Sequence, residues 1–383
     1  VWLAAVQARL SPEPYRGAEA FEAWVTGLAR RAVEGAPEGV PRLVAFPEAI
    51  GLPLLFTPPA AGERSEHRGE REGGHGGERE GGHGGEREGG HGGEREGGHG
   101  GEREGGRAPE GDVEAYAAAG SLTAAALRLL RSEWMGVIAA AWRHRAFGPA
   151  ALYLSRAVPA YRAYVAAFRA AARASDAVVV AGSAFLPDVE EEAARGMHVT
   201  QPWVHNVATT FAASGALLGR SRKVFLTPGT ESRAGLRRGR IEDLPVFDTP
   251  AGRVAVAVCL DGWYDGVVGA LDGRGAQVLV QPSANDAAWD RPWPPDPRLS
   301  EGEAWLQRGL RAGLQGRLNL RYGVNPMLVG DFAGFRPRGR SSIVANADAA
   351  GAGVGWVEGR VGVVALAERA DAEEVVTASV ALG

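Results

Sequence analysis

Short apolar runs of strand length alternate along this chain with stretches of helical spacing, and that alternation leaves few folds open. Trp2–Leu10 reads as a strand and Ala18–Val33 as a helix. Arg42–Phe46 is a short buried strand that ends at Pro47-Glu48. Helices are predicted near Asp112–Arg131 and Ala157–Ala174, where apolar residues recur at i, i+3 and i+4. Ala177–Leu186 is again a strand, and Val207–Ala213 with Ala216–Leu218 form a hairpin around Ser214-Gly215. Arg253–Leu260 is a continuous apolar strand, followed by a helix near Val267–Arg274 and a strand at Gln277–Gln281. Leu299–Leu318 is amphipathic, and strands return at Gly323–Val329, Ser341–Val344, Gly362–Leu366 and Glu374–Ser379. The pattern predicts an α/β fold in which helices cover sheets.

One segment is excluded from that pattern. From Glu63 to Gly111 the octapeptide Gly-Glu-Arg-Glu-Gly-Gly-His-Gly recurs, placing His67, His75, His83, His91 and His99 eight residues apart. The repeat holds no aliphatic or aromatic residue, so it has no apolar surface to offset the entropy of ordering. It is read as a disordered insertion (63–111) within a single domain spanning 1–383. A His/Glu metal-binding tract is the sharper alternative, but flexible glycine spacers pre-organise no ligand geometry.

A formal net charge of −4 argues against a phosphate-tracking surface, so no nucleic-acid partner is expected. No window offers the ~18 consecutive apolar residues of a membrane span, and no membrane partner is expected. The chain opens at Val1 directly on a strand-like run, with no basic start and apolar stretch of a signal peptide. With a single cysteine there is no internal disulfide and no multi-cysteine zinc site, and the expectation is a cytoplasmic protein.

Two residues are unique in the chain. Cys259 is the only cysteine, and among 42 basic residues Lys223 is the only lysine. Arginine serves every other cationic position, so a lone lysine marks either a place where a compact ammonium is needed or an accident of a biased composition. Cys259 ends the apolar run Val254–Val258, and Glu48 follows Leu43–Pro47, each where a buried strand emerges. Binding and catalytic groups of α/β folds collect at such ends.

These residues sit in three motifs: Phe46-Pro47-Glu48, Arg222-Lys223-Val224-Phe225-Leu226-Thr227-Pro228, and Cys259-Leu260-Asp261. Together and in this order they resemble the nitrilase (carbon–nitrogen hydrolase) superfamily. The family's supporting glutamate, eight residues past the lysine, matches Glu231, and Gly275–Ser283 resembles the strand after its nucleophile. The sequence departs from the family at Phe225, where many members have histidine. It also departs at Gly229-Thr230, Leu260 and Gly262-Trp263-Tyr264, which leaves the substrate subclass open.

The resemblance implies an α-β-β-α sandwich, a homodimer or higher homo-oligomer, and no metal or organic cofactor. It implies an amidase-like hydrolase of a small amide, with a nitrile or N-carbamoyl substrate as alternatives. Its triad would be Glu48, Lys223 and Cys259. Glu48 would act as base, Cys259 as nucleophile, Lys223 and the Leu260 N–H as oxyanion donors, and Glu231 as support for the lysine. A rival of another class is a binding or scaffold protein that keeps the fold without turnover.

Overall fold

The structure is a computed structural model and describes residues 1–58, 113–192, 196–348 and 356–382. The octapeptide tract lies outside the described residues.

Twelve strands make two six-stranded sheets. The first sheet holds β1 (Trp2–Gln7), β2 (Arg42–Ala45), β3 (Val178–Leu186), β4 (His205–Phe211) and β5 (Leu217–Arg222). The second holds β6 (Val246–Thr249), β7 (Gly252–Val256), β8 (Val278–Val280), β9 (Tyr322–Asn325), β10 (Ser342–Ala345) and β11 (Val363–Leu366). The last strand, β12 (Glu374–Ser379), returns to the first sheet and pairs antiparallel with β1.

The central strands read as continuous apolar runs because both of their faces are buried. Alternation is still visible in what each face meets. Leu3, Ala5, Leu43, Ala45, Val178 and Val180 face Val254, Val256, Val278, Val280 and Val324 between the two sheets. Ala4, Val6, Val44 and Phe46 point outward, under α1 (Ala18–Ala32) and the helix Pro149–Ser175. On the other side Ala255, Ala257 and Leu279 pack under the helix Asp265–Gly273 and the turn Leu310–Leu314. The result is helix, sheet, sheet, helix, the sandwich expected above.

Several boundaries differ from the sequence reading. The strand read over Trp2–Leu10 breaks after Gln7, and Arg9–Leu10 pairs instead with Val329–Gly330. The helix read over Asp112–Arg131 is split into α2 (Val113–Ala117) and α3 (Leu122–Ser132). Gly120 takes φ +76° there, and the Ser121 side chain caps α3 by accepting the Ala124 N–H at 3.1 Å. A helix not read from sequence, α4 (Trp134–His144), precedes α5 (Pro149–Ser175), which begins two turns before the predicted start. Pro149 at its first turn fixes that start. Leu299–Leu318 is not one helix. It breaks at Gly309, where a Cβ would lie 2.7 Å from the Trp305 carbonyl oxygen.

Candidate active site

Glu48 is aimed by its neighbours in β3. The Phe46 N–H bonds the Val180 carbonyl at 2.8 Å, and the Ser183 N–H reaches the Pro47 carbonyl at 3.3 Å. Between them β3 changes register, and Gly182 takes φ +69° where a Cβ would stand 2.0 Å from the Pro47 oxygen. Only glycine permits that approach. Ser183 Oγ then accepts the N–H of Ala49, itself left-handed at φ 60°. The bulge thus grips the Pro47–Gly51 turn and leaves the Glu48 side chain 6% exposed at the carboxyl end of β2.

Lys223 lies one residue past β5, its N–H on the Asn206 carbonyl at 2.9 Å. Its ammonium is 1% exposed and bridges two carboxylates, 2.7 Å from Glu48 Oε1 and 2.8 Å from Glu231 Oε2. Asn206 spans the same pair from the other side, with Nδ2 donating to Glu48 Oε1 at 2.8 Å and to Glu231 Oε1 at 2.6 Å. The Thr227 N–H completes the hold on Glu231 at 2.7 Å, and the Ala284 N–H reaches Glu48 Oε2 at 3.1 Å.

Cys259 opens a short 3₁₀ turn (Cys259–Trp263) past the end of β7, at φ 49°. A left-handed cysteine costs of order 1–3 kcal/mol and persists only where its surroundings hold it. Here its N–H bonds the Pro282 carbonyl at 2.8 Å, and its carbonyl accepts Gln281 Nε2 at 2.6 Å. Gly262 makes room for that glutamine, since a Cβ there would fall 2.5 Å from its side chain. The sulfur lies beside the Glu48 carboxylate, and the Ala284 N–H is near enough to favour its thiolate. Leu260 stands in the first turn of this helix, where N–H donors have no intrahelical acceptor.

Asp261 joins the two sides. Fully buried, it accepts the Val224 N–H at 2.9 Å and the Phe225 N–H at 2.7 Å, tying the lysine segment to the cysteine turn. Burial outweighs those two bonds and pushes its pKa up to about 7. Directly beside it Phe225 stacks on Tyr264, centroids 3.8 Å apart and planes at 17°. Two of the departures from the family motifs therefore answer one another.

Burial sets the protonation states. It raises the Glu48 pKa, and Lys223 at 2.7 Å only partly offsets this because Glu231 pushes the same way. Burial and the neighbouring Glu48 charge hold the Cys259 thiol well above the usual value, against the pull of Lys223 and the Ala284 N–H. Burial alone would lower the Lys223 pKa. The charges of Glu48, Cys259 and Glu231 outweigh it and keep the ammonium protonated. The resting arrangement is a neutral thiol beside a carboxylate whose affinity for a proton is raised.

All four side chains singled out from sequence meet here: Glu48, Lys223, Cys259 and Glu231. Asn206 was missed, although an asparagine at the edge of the apolar run Val207–Ala213 is a buried-polar signal. Gly182-Ser183 inside an apolar strand was a bulge signal of the same kind.

The chain matches the carbon–nitrogen hydrolase family model over residues 115–303. No curated protein matches it in sequence. Among solved structures, a cysteine-to-serine mutant of the Nesterenkonia AN1 amidase from the nitrilase superfamily aligns with a TM-score of 0.52 at 12% identity, over 100% of this chain and 92% of that one. A glutamate-to-glutamine mutant of the Nesterenkonia sp. AN1 amidase, with the acetamide moiety of fluoroacetamide added covalently at its active-site cysteine, gives 0.51 at 13% identity, over 100% and 90%. A carbon–nitrogen hydrolase from Helicobacter pylori G27 gives 0.51 at 14% identity, over 99% and 88%. At such identities the superpositions speak to the fold, while the family model spans Lys223, Glu231 and Cys259. Fold and family model agree: residues 115–303 belong to the carbon–nitrogen hydrolase family, and the chain as a whole has the fold of the nitrilase superfamily.

Proposed function

We propose that this protein hydrolyses the C–N bond of a small amide through a thioester on Cys259. The observation that carries this reading is a single carboxylate, Glu48, in contact with both the thiol and the buried ammonium. Glu48 takes the thiol proton as the sulfur attacks the carbonyl carbon. The developing oxyanion is met by the Lys223 ammonium and the Leu260 N–H, and one such donor typically lowers the barrier by ~2.7–4 kcal/mol. Collapse breaks the C–N bond, and the proton held by Glu48 passes to the departing amine or ammonia. Water then gives a proton to Glu48 and attacks the thioester. Collapse of the second intermediate releases the carboxylic acid and restores the thiol. The cycle balances without a cofactor.

Glu231 and Asn206 act as positioning residues, holding Lys223 and Glu48 in register. In this reading the whole chain is one domain working in the cytoplasm as a homodimer or larger homo-oligomer. The inactive-scaffold reading has no explanation for a buried carboxylate set between a buried thiol and a buried ammonium. Ammonia release from a panel of short amides, nitriles and carbamoyl amino acids tests the proposal. Turnover of amides is expected, and the absence of release from any of the panel contradicts it.

A further inference from the structure

The cysteine sits between two peptide planes, and each is fixed by a residue that follows β8. The plane before Cys259 is held through its own N–H, which donates to the Pro282 carbonyl at 2.8 Å. The plane after it is held at the carbonyl, which accepts Gln281 Nε2 at 2.6 Å. Fixing both planes fixes φ and ψ, and here it keeps Cys259 left-handed at φ 49°. The first bond is made by backbone, which any residue at 282 offers. The second depends on one side chain.

Gln281 is fully buried, and its own backbone is pinned. Its N–H donates to the Val324 carbonyl at 2.8 Å, and its carbonyl accepts Asn325 Nδ2 at 2.6 Å and Ser283 Oγ at 3.0 Å. The other amide atom, Oε1, is buried with no hydrogen-bond partner among the described residues. A methionine of similar length would fill the same space without burying an unsatisfied acceptor, so packing does not account for an amide here. Nor does backbone conformation account for the glycine opposite, because Gly262 lies outside the left-handed region. A Cβ there would stand 2.5 Å from Gln281 Cδ and 2.6 Å from Nε2. The turn forgoes a side chain at 262, and the amide reaches the Cys259 carbonyl through that space.

The peptide bond carries this grip to the reacting atoms. Cys259–Leu260 is trans, so the carbonyl and the N–H of that plane point in opposite directions. Anchoring the carbonyl on Gln281 therefore aims the Leu260 N–H, the donor assigned above to the oxyanion. A hydrogen bond at one end of an amide also polarises the other, which strengthens that donor. We propose that Gln281 is a positioning residue for the reaction, holding the Cys259–Leu260 plane so that the Leu260 N–H meets the oxyanion as it forms. The inference rests on the hydrolase reading and adds to it the residue that orients the donor.

Gln281→Met keeps length and volume and removes the grip. Steady-state kinetics on propionamide should show kcat down about tenfold or more with KM within about twofold, since the donor is needed in the transition state rather than for binding. The rate at which methyl methanethiosulfonate modifies Cys259 should stay parental, because that reagent has no carbonyl to become an oxyanion. Gly262→Ala, which displaces the amide without deleting it, should give the same split. Should Gln281→Met fail to fold, Gly262→Ala decides alone. A parental kcat in either variant overturns the proposal. So does a parallel loss of kcat and thiosulfonate rate, or an equal change in kcat and KM, either of which marks a turn that has only loosened. A parent without amide turnover overturns the hydrolase reading and this inference together. Turnover in the parent that Gln281→Met matches overturns this inference alone.

Discussion

The two sheets are built to one plan and contribute different chemistry. Reading across the first, β12, β1, β2, β3, β4 and β5 pair antiparallel, parallel, parallel, antiparallel, antiparallel. Reading across the second, β6 to β11 pair in that same succession. Yet the charged partners of the thiol come from the first sheet and its edge, Glu48 after β2 and Lys223 after β5, with the neutral Asn206 amide of β4 beside them. The second supplies the thiol on a strained turn and the backbone that frames it, through Gln281, Pro282 and Ala284. Neither sheet holds a working set alone. A thiol pressed into a low-dielectric seam needs its base delivered from the opposite wall, and the sandwich does that.

Predictions that break this division of labour differ in size. Cys259→Ala removes the second sheet's one reacting group, and amide turnover should vanish while circular dichroism is unchanged, since the lost side chain leaves little cavity. Activity above a few per cent of the parent would assign the nucleophile elsewhere. Lys223→Arg keeps the charge on the first sheet but changes its shape. A forked guanidinium does not fit the space between Glu48 and Glu231 that a point ammonium fills. Misplacement by ~1 Å costs on the order of a hundredfold, so steady-state kcat/KM should fall at least that far. A variant with more than half the parental value would refute the role.

Asn206→Leu should be milder. Each carboxylate loses one charge-assisted hydrogen bond, typically ~1.5–3 kcal/mol, so kcat should drop by about tenfold or more while KM moves little. Equal changes in both would point to general loosening of the site. Deleting residues 63–106 should matter least, because the octapeptides offer nothing to pack and loop length costs only ~0.6 kcal/mol per doubling. A tenfold loss of kcat/KM on deletion would place the tract in catalysis.

The architecture was legible because strands buried on both faces announce themselves as apolar runs of fixed length. The site was legible where chemistry had no substitute, at the single Cys259 and the single Lys223. What stayed hidden depends on partners distant in sequence. Asn206 matters because of Glu48, 158 residues away. Ser183 matters through its bond to Ala49, and neither pairing has a local signal. Helix α4 escaped because large apolar side chains stand on its exposed side as well as its packed side, which blurs the contrast between a polar and an apolar face.

The central claim is that a carboxylate from one sheet deprotonates the thiol of the other. The pH profile of kcat/KM for the parent and for Glu48→Gln, an isosteric change that keeps an acceptor in place, tests it most directly. For a base that must be ionised, activity is lost as pH falls through its pKa, and burial raises that of Glu48 above 4.5. The parent should therefore show an acid limb centred above the usual carboxylate range. Glu48→Gln should lose roughly 10²–10⁴-fold in rate and lose the limb with it. A variant that keeps more than a tenth of the parental kcat/KM, or an acid limb unmoved by the substitution, would contradict the account.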